Sequence, residues 1–228
     1  MNVDQMHIAV KMGLDKSEAL SLPAFQPEEL DFWLNDAVER FIKTRYNSFE
    51  QSQKRVDDLR TLIVETRIIP AIGGATSDKP NSYIVIVATF PVDYFLFLND
   101  EVDITFDHSV LGTATTVRTG VTECTSDSYF TKVSDPYGEH VLHLNTARPL
   151  RLFSEKGIEL ITDGNYEISY YYMRYIRKPS VIELAGAIDC DLPEHTHSEI
   201  VEMTVNKLLE NIESPRYQTH TVELNKIE

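Results

Sequence analysis

Residues 166–176, YEISYYYMRYI, constrain the fold more than any other stretch of the chain. β-Branched and aromatic side chains favour strands, and successive side chains of a strand point to opposite faces. One face therefore carries Tyr170, Tyr172, Arg174 and Ile176, and the other carries Tyr171, Met173, Tyr175 and Arg177. Because both faces carry large side chains, we expect this strand to lie in a sheet that is covered on both sides.

The segments that precede this strand predict further strands. They are 82–90 (SYIVIVATF), 101–106 (EVDITF), 110–123 (VLGTATTVRTGVTE), 140–145 (HVLHLN), 149–154 (PLRLFS) and 157–162 (GIELIT). Gly157 and Gly164 stand in turn sequences, where glycine adopts positive φ cheaply, which favours hairpins. Pro91 and the helical spacing of Tyr94 and Leu98 predict a short helix that leads into the strand at 101–106. Residues 125–140 predict an irregular insertion with one helical turn.

The N-terminal part of the chain predicts helices. Residues 27–47 begin with Pro27 and two acids, and their apolar residues recur at i, i+3 and i+4. Residues 48–65 predict a second helix that folds back on the first. Residues 1–26 contain one short helical segment and are interrupted by Pro23, so we expect them to form an arm.

The C-terminal part predicts one more helix. Pro193 suits a first turn, and Thr196 and Glu199 have the spacing of a capping box. Apolar residues then recur at helical spacing up to residue 212. We expect the helix to cover residues 192–213 and to be followed by a loose tail.

The order of these elements is that of an α+β protein, because a run of helices precedes a run of strands. We expect an N-terminal helical hairpin, a central antiparallel sheet or barrel-like domain, and a C-terminal amphipathic helix. The predicted boundaries are an arm at 1–26, a single domain at 27–213 and a tail at 214–228. Within the domain, the hairpin covers 27–65, the β-rich region 66–188 and the closing helix 192–213.

The charge of the chain restricts its partners. The 228 residues include 21 Lys and Arg against 36 Asp and Glu, a net charge of −15. Such a field repels nucleic acid and anionic membranes, so neither is expected as the main partner. The N-terminal residues have no long apolar core, and the two cysteines do not form a disulfide framework, so we expect synthesis in the cytoplasm.

A metal site is the first alternative that the sequence leaves open. Asp189, Asp191, His195 and His197 lie close together and have side chains that bind metals. Side chains two positions apart on a helix diverge by roughly 200°, so the two histidines do not share a metal if they begin a helix. The helix start is the preferred interpretation, and a metal-dependent hydrolase that uses these four residues is the alternative.

The tyrosine-rich strand is the second feature with a functional interpretation. Tyr, Met and Arg are enriched at protein–protein contacts. Candidate subunit-contact residues are Tyr170, Tyr172, Arg174, Tyr175 and Arg177, with Arg216 and Tyr217 of the tail. Aromatic side chains also stack on sugars, so a sugar-binding β module that uses Tyr170, Tyr172 and Tyr175 is a further alternative. The sequence indicates no catalytic residues, no metal ligands and no cofactor.

Four stretches together resemble a known family. They are 29–47 (ELDFWLNDAVERFIKTRYN), 90–104 (FPVDYFLFLNDEVDI), 125–140 (TSDSYFTKVSDPYGEH) and 192–219 (LPEHTHSEIVEMTVNKLLENIESPRYQT). In their order and spacing they are similar to the neck proteins of tailed bacteriophages, and most similar to the ring proteins below the portal in crAss-like phages.

The resemblance implies a non-enzymatic structural protein of the virion. Such a subunit is expected to form a ring of about twelve copies in the neck, with the portal and neighbouring neck and tail ring proteins as partners. Packaged DNA would pass through the ring as cargo. The resemblance implies no cofactor and no membrane, and it implies synthesis in the cytoplasm of the host bacterium.

Overall fold

The computed structural model describes residues 1–15, 25–47, 53–72, 79–107 and 114–211. The helices are α1 (Val3–Asp15), α2 (Pro27–Tyr46), α3 (Gln53–Leu59), α4 (Tyr129–Val133) and α5 (His197–Asn211). The strands are β1 (Ile63–Ile68), β2 (Ala71–Ile72), β3 (Ser82–Ile86), β4 (Tyr94–Asp107), β5 (Ala114–Gly120), β6 (Thr122–Glu123), β7 (Leu150–Ser154), β8 (Gly157–Ile161) and β9 (Glu167–Arg177). The predicted α+β class is confirmed.

The chain divides into two compact units. The helical unit comprises residues 1–62 and 178–228, and the β unit comprises residues 63–177. The division into an arm, one domain and a tail therefore stays a prediction. The described part contains no helix that is both long enough and apolar enough to span a membrane.

The helical unit is built around α5. Both α1 and α2 pack against it, each through one apolar stripe. Its buried residues include Met6, Val10, Leu14, Leu30, Leu34, Phe41, Ile200, Val205 and Leu208. The first helix thus belongs to this core. In addition, the side chain of Asn35 accepts a hydrogen bond from the Ile182 N–H (2.8 Å) and donates one to the Ile182 carbonyl (3.0 Å). These bonds hold the segment before α5 on α2.

The β unit consists of two sheets. The four-stranded sheet has the order β1-β9-β4-β5 and is antiparallel throughout. The five-stranded sheet has the order β2-β3-β8-β7-β6, in which β6 and β7 are parallel. The described strands form no closed barrel, so the barrel-like expectation is corrected to two open sheets. Their buried faces share one core, which includes Val85, Val102, Ile104, Ile158, Leu160, Tyr171 and Met173.

Local spacing gave a wrong prediction for residues 91–100. Residues from Tyr94 onward form one continuous strand, β4, and the expected short helix is absent there. Most of β4 pairs with β9, with register shifts at three places, and Phe97 packs against the core of the unit. Pairing with a long neighbouring strand outweighs the helical spacing of Tyr94 and Leu98.

Two further boundaries differ from the prediction. Residues 63–65, expected to end the helical hairpin, belong to β1, where Glu65 lies opposite Arg174 of β9. Residues 140–145, expected to form a strand, contain a turn with a single bridge between His143 and Thr146. There the Leu142 N–H donates to the Asp163 carboxylate (2.9 Å), so a side chain replaces a strand partner.

Candidate functional site

The candidate site is one face of the four-stranded sheet, called here the open face. It carries Glu65, Arg67, Asn99, Glu101, Asp103, Arg118, Tyr170, Tyr172 and Arg174. Tyr170 and Tyr172 are half-buried and Arg174 is exposed. On the other face, Tyr171, Met173 and Tyr175 are at most 2% exposed. The expectation that β9 is covered on both sides is therefore wrong, since its large polar residues lie on a solvated face.

Arg118 connects the strands of the open face. Its Nε donates to Glu101 Oε2 (2.5 Å) and its Nη2 donates to Glu65 Oε1 (2.9 Å). The guanidinium carbon lies 3.9 Å from the centre of the Tyr172 ring. Because β1 and β5 are the two edges of the sheet, one side chain from β5 spans the open face to β1. The hydrogen bond with Glu65 raises the pKa of Arg118, so the guanidinium stays charged.

Both tyrosines of the open face are engaged. The Tyr172 hydroxyl donates to Asp103 Oδ2 (2.8 Å), and this bond raises the pKa of Tyr172. The guanidinium carbon of Arg67 lies 4.3 Å from the centre of the Tyr170 ring. Each ring thus has a cation over one of its faces.

Two other strand candidates lie elsewhere. Tyr175 faces the core, where its hydroxyl donates to Asp93 Oδ1 (2.9 Å), and burial raises its pKa to about 12. Arg177 is half-buried and lies opposite Tyr94, the first residue of β4. The candidates Arg216 and Tyr217 lie outside the described residues. The structure therefore brings together Tyr170, Tyr172 and Arg174.

This placement weakens the sugar-binding alternative. A stacking platform made of Tyr170, Tyr172 and Tyr175 would need three rings on one surface. Tyr175 lies on the opposite face of the sheet and is 2% exposed. The other two rings already contact guanidinium groups.

Arg174 is the charged residue among the three candidates, and it is exposed. It lies between Glu65 of β1 and Asn99 of β4 in the sheet register. Among the described residues, however, no carboxylate forms an ion pair with it, because Glu65 is bonded to Arg118. Arg174 lines a shallow polar depression together with Glu65, Asn99, Glu101, Arg118 and Tyr172. An exposed cation beside a tyrosine is suited to receive a carboxylate from a partner protein.

A buried ion pair lies behind the open face. Asp100 of β4 and Arg151 of β7 join the two sheets at 2.6 Å, and the Tyr171 hydroxyl donates to the second oxygen of Asp100 (3.1 Å). The sequence prediction did not include this group. The available signal was a charged residue at a core position of the strand at 149–154, where Leu150, Arg151 and Leu152 are all buried.

The four residues of the metal alternative bind separate partners. Asp189 accepts from the Val3 N–H (2.7 Å), and Asp191 accepts from the Ser180 N–H (2.8 Å). His195 Nε2 lies 2.9 Å from Asp58 Oδ1, and His197 Nε2 lies 2.8 Å from the Leu192 carbonyl. Within the described ranges, no group of three His, Cys, Asp or Glu side chains is arranged to hold a metal. The structure thus does not gather these residues into one site.

The predicted helix start is confirmed, but its cap differs. A 3-10 turn over Glu194–Thr196 leads into α5. The Thr196 hydroxyl donates to the Pro193 carbonyl (2.8 Å), and Glu199 accepts two hydrogen bonds from Arg45 (2.7 and 2.9 Å). Glu199 therefore links α5 to the end of α2 instead of closing a capping box.

Comparison with known proteins gives one family. Residues 37–219 match the family model described as phage tail ring protein 3/4, a family of crAss-like phage ring proteins. The match covers well over half of the chain and includes both the open face and α5. No curated protein matches the chain.

Proposed function

Because the chain belongs to the phage tail ring protein 3/4 family, we propose that it is a ring-forming subunit of the phage neck. About twelve copies would surround the DNA channel between the portal and the tail. The partners would be further copies of the chain, the portal and the neighbouring neck and tail rings. The subunit would be made in the bacterial cytoplasm and act in the virion without catalysing a reaction.

The family match is the main evidence for this proposal. The acidic charge of the chain supports the part of the proposal in which DNA passes through the ring. A net charge of −15 disfavours tight binding of the phosphate backbone. A passage for DNA benefits from this property, because phosphates that do not adhere to the wall slide past it.

The open face supports a contact with another subunit. Its tyrosines and arginines are of the types enriched at protein interfaces, and Arg174 is exposed. A neighbouring copy has an excess of carboxylates, so it offers complementary charge. We therefore place Tyr170, Tyr172 and Arg174 at a contact between subunits, together with the tail residues Arg216 and Tyr217.

The first helix is part of the core of the helical unit. Met6, Val10 and Leu14 of α1 are at most 5% exposed, since the helix packs on α5. Removal of residues 1–25 would expose the core of the helical unit. It would also remove any contact that these residues make with a neighbour, so the two effects could not be separated. A test of terminal contacts is therefore best made by removing the tail after residue 213.

The test is the mass and shape of the purified assembly. Native mass spectrometry and electron microscopy would be recorded for the protein alone and after mixing with the portal and neighbouring ring proteins. The expected result is a closed ring of about twelve copies in at least one condition. A protein that stays monomeric or dimeric in every mixture would contradict the proposal.

A further inference from the structure

The four-stranded sheet ends in two open edges. Among the described strands, β1 pairs with β9 alone and β5 pairs with β4 alone. Each edge strand therefore has one side on which its N–H and C=O groups meet no described strand. Such a side is a template for pairing with another extended chain.

The outer strand β5 has few of the features that prevent edge pairing. Proline, bulges and several charges are the usual protection of an exposed edge. The seven residues of β5 contain one charged side chain, Arg118, and no proline. Its register against β4 is continuous from Ala114 to Gly120, so the strand has no bulge. A regular strand with three threonines and one valine at a solvated edge is suited to accept a further strand.

The directions of the strands determine what kind of partner fits. Both β1 and β4 are antiparallel to β9, and β5 is antiparallel to β4. It follows that β5 runs opposite to β1. The β1 edge of a second copy, placed beside β5 with its open face on the same side, would make an antiparallel pair like all the others in this sheet.

The side chains at the two edges are also compatible. Val64 of β1 and Val117 of β5 are half-buried, and both pack against the core of the β unit. Pairing would bury more of each valine. On the open face, Arg118 of one copy would lie beside β1 of the next copy, which carries Glu65. Within one subunit, Arg118 and Glu65 form an ion pair, so their charges are complementary. Opposite charges on neighbouring strands stabilise pairing.

We propose that β5 of one copy pairs with β1 of the next, so that the four-stranded sheets join into one continuous sheet around the ring. The contact joins two different edges, so it is heterologous and closes a ring when the rotation between copies permits. This inference rests on the proposed ring-forming function. Beyond that function, it specifies that β5 contacts β1 of the next copy and that the two strands are antiparallel.

Disulfide trapping in the assembled protein tests the pairing. Ala114→Cys or Thr116→Cys on β5 is combined with Glu65→Cys or Arg67→Cys on β1, which gives four pairs and samples several registers. Ala114 and Thr116 lie four and two residues before Arg118 in β5, so they are on the same side of the sheet as the open face and as Glu65 and Arg67. Within one subunit the two edges are separated by three strand spacings, about 14 Å, whereas paired strands place Cβ atoms about 5 Å apart. A disulfide between these positions therefore joins different copies.

The expected result is a ladder of covalent multimers from at least one pair after mild oxidation. The unmodified protein, which has its own Cys124 and Cys190, and variants with only one introduced cysteine should remain monomeric on a denaturing gel. Each variant is first checked for cooperative unfolding before assembly, because Glu65→Cys also removes a partner of Arg118. Covalent dimers from Thr116→Cys alone would indicate that β5 pairs with β5, which overturns the proposal. Rings that give no ladder from any pair would overturn it as well.

Hydrogen exchange gives a second test that does not depend on the register. On assembly, the outward amides among residues 114–120 should exchange at least tenfold more slowly, because they gain carbonyl partners. Rings in which these amides exchange as in the free subunit would overturn the pairing and leave the ring-forming function intact. A protein that forms no ring in any mixture would contradict the function itself, and the pairing with it.

Discussion

Asp100 and Arg151 form a buried ion pair between the two sheets of the β unit. Arg151 Nη1 lies 2.6 Å from Asp100 Oδ1, and the side chains are 11% and 2% exposed. The guanidinium carbon lies 4.4 Å from the centre of the Phe97 ring, so the charge is enclosed by apolar groups. The pair fixes the position of β4 relative to β7. It lies on the core side of the four-stranded sheet, opposite the open face.

Breaking this pair should be costly. Asp100→Ala leaves the Arg151 charge buried without its carboxylate and removes the acceptor of the Tyr171 hydroxyl. The expected loss in the free energy of unfolding is about 3–5 kcal/mol. Urea unfolding at neutral pH measures it. The double variant Asp100→Leu with Arg151→Met should recover most of the loss, and a double variant as unstable as the single one would contradict this account.

The exposed ion pairs of the open face should contribute much less. Arg118→Met removes the bonds to Glu65 and Glu101 but keeps an apolar stem over Tyr172. All three charged side chains are about half exposed, so solvent screens the pairs, and the expected loss is about 1 kcal/mol. Thermal unfolding should show that the loss shrinks further in 1 M salt. A loss as large as that of Asp100→Ala would mean that the open face is buried in the folded subunit.

Alkaline pH should destabilise the β unit through its buried tyrosines. Burial raises the pKa of Tyr166, Tyr171 and Tyr175, the last to about 12, from an ordinary value of 10.0. Between these values the folded chain binds more protons than the unfolded chain, so stability is fully present below pH 10 and falls as pH rises. The expected slope is about 1.4 kcal/mol per pH unit for each tyrosine.

Chemical unfolding between pH 9 and 12 measures this slope. Tyr175→Phe should reduce the slope by the contribution of one tyrosine, about 1.4 kcal/mol per pH unit. The reduction should end at about pH 12, where Tyr175 ionises in the folded protein. Tyr166→Phe should give a separate reduction of the same sign. An unchanged slope in both variants would show that these hydroxyls are not buried as described.

Asp189, one residue of the metal alternative, should behave as a helix cap. Asp189 accepts from the Val3 N–H at the start of α1, so Asp189→Ala should cost about 1 kcal/mol. The shift in unfolding midpoint should be the same with and without a chelator. A chelator that lowers the midpoint of the unmodified protein, but not that of Asp189→Ala, would restore the metal alternative.

Reversal of the charge at Arg174 should weaken assembly without unfolding the subunit. Arg174→Glu places a carboxylate on the open face where we expect a partner carboxylate to bind, so the fraction of protein in rings should fall at least tenfold. Arg60→Glu is the matched control, because Arg60 is 73% exposed and lies in the helical unit. Native mass spectrometry measures both. Equal assembly of the two variants would remove Arg174 from the contact.

The sequence predicted those elements whose signals are local. The apolar stripes of α2 and α5, the turn before Gly157 and the alternation of β9 depend on residues that are close together in the sequence. The strand β4 was predicted only in its second half, because Tyr94 and Leu98 also fit a helix. Of the candidate contact residues, the alternation in β9 correctly separated Tyr170, Tyr172 and Arg174 from Tyr175.

Tertiary structure decided which face of β9 is buried. The α+β class and the faces of each strand follow from composition and periodicity, since these properties are encoded in consecutive residues. Pairing partners are distant in sequence, so the order β1-β9-β4-β5 and the position of Arg118 over Tyr172 had no local signal. The same holds for Asp100 and Arg151, whose charges are tolerated in the core because folding brings them together. A single strand sequence does not specify the neighbour that satisfies its charge.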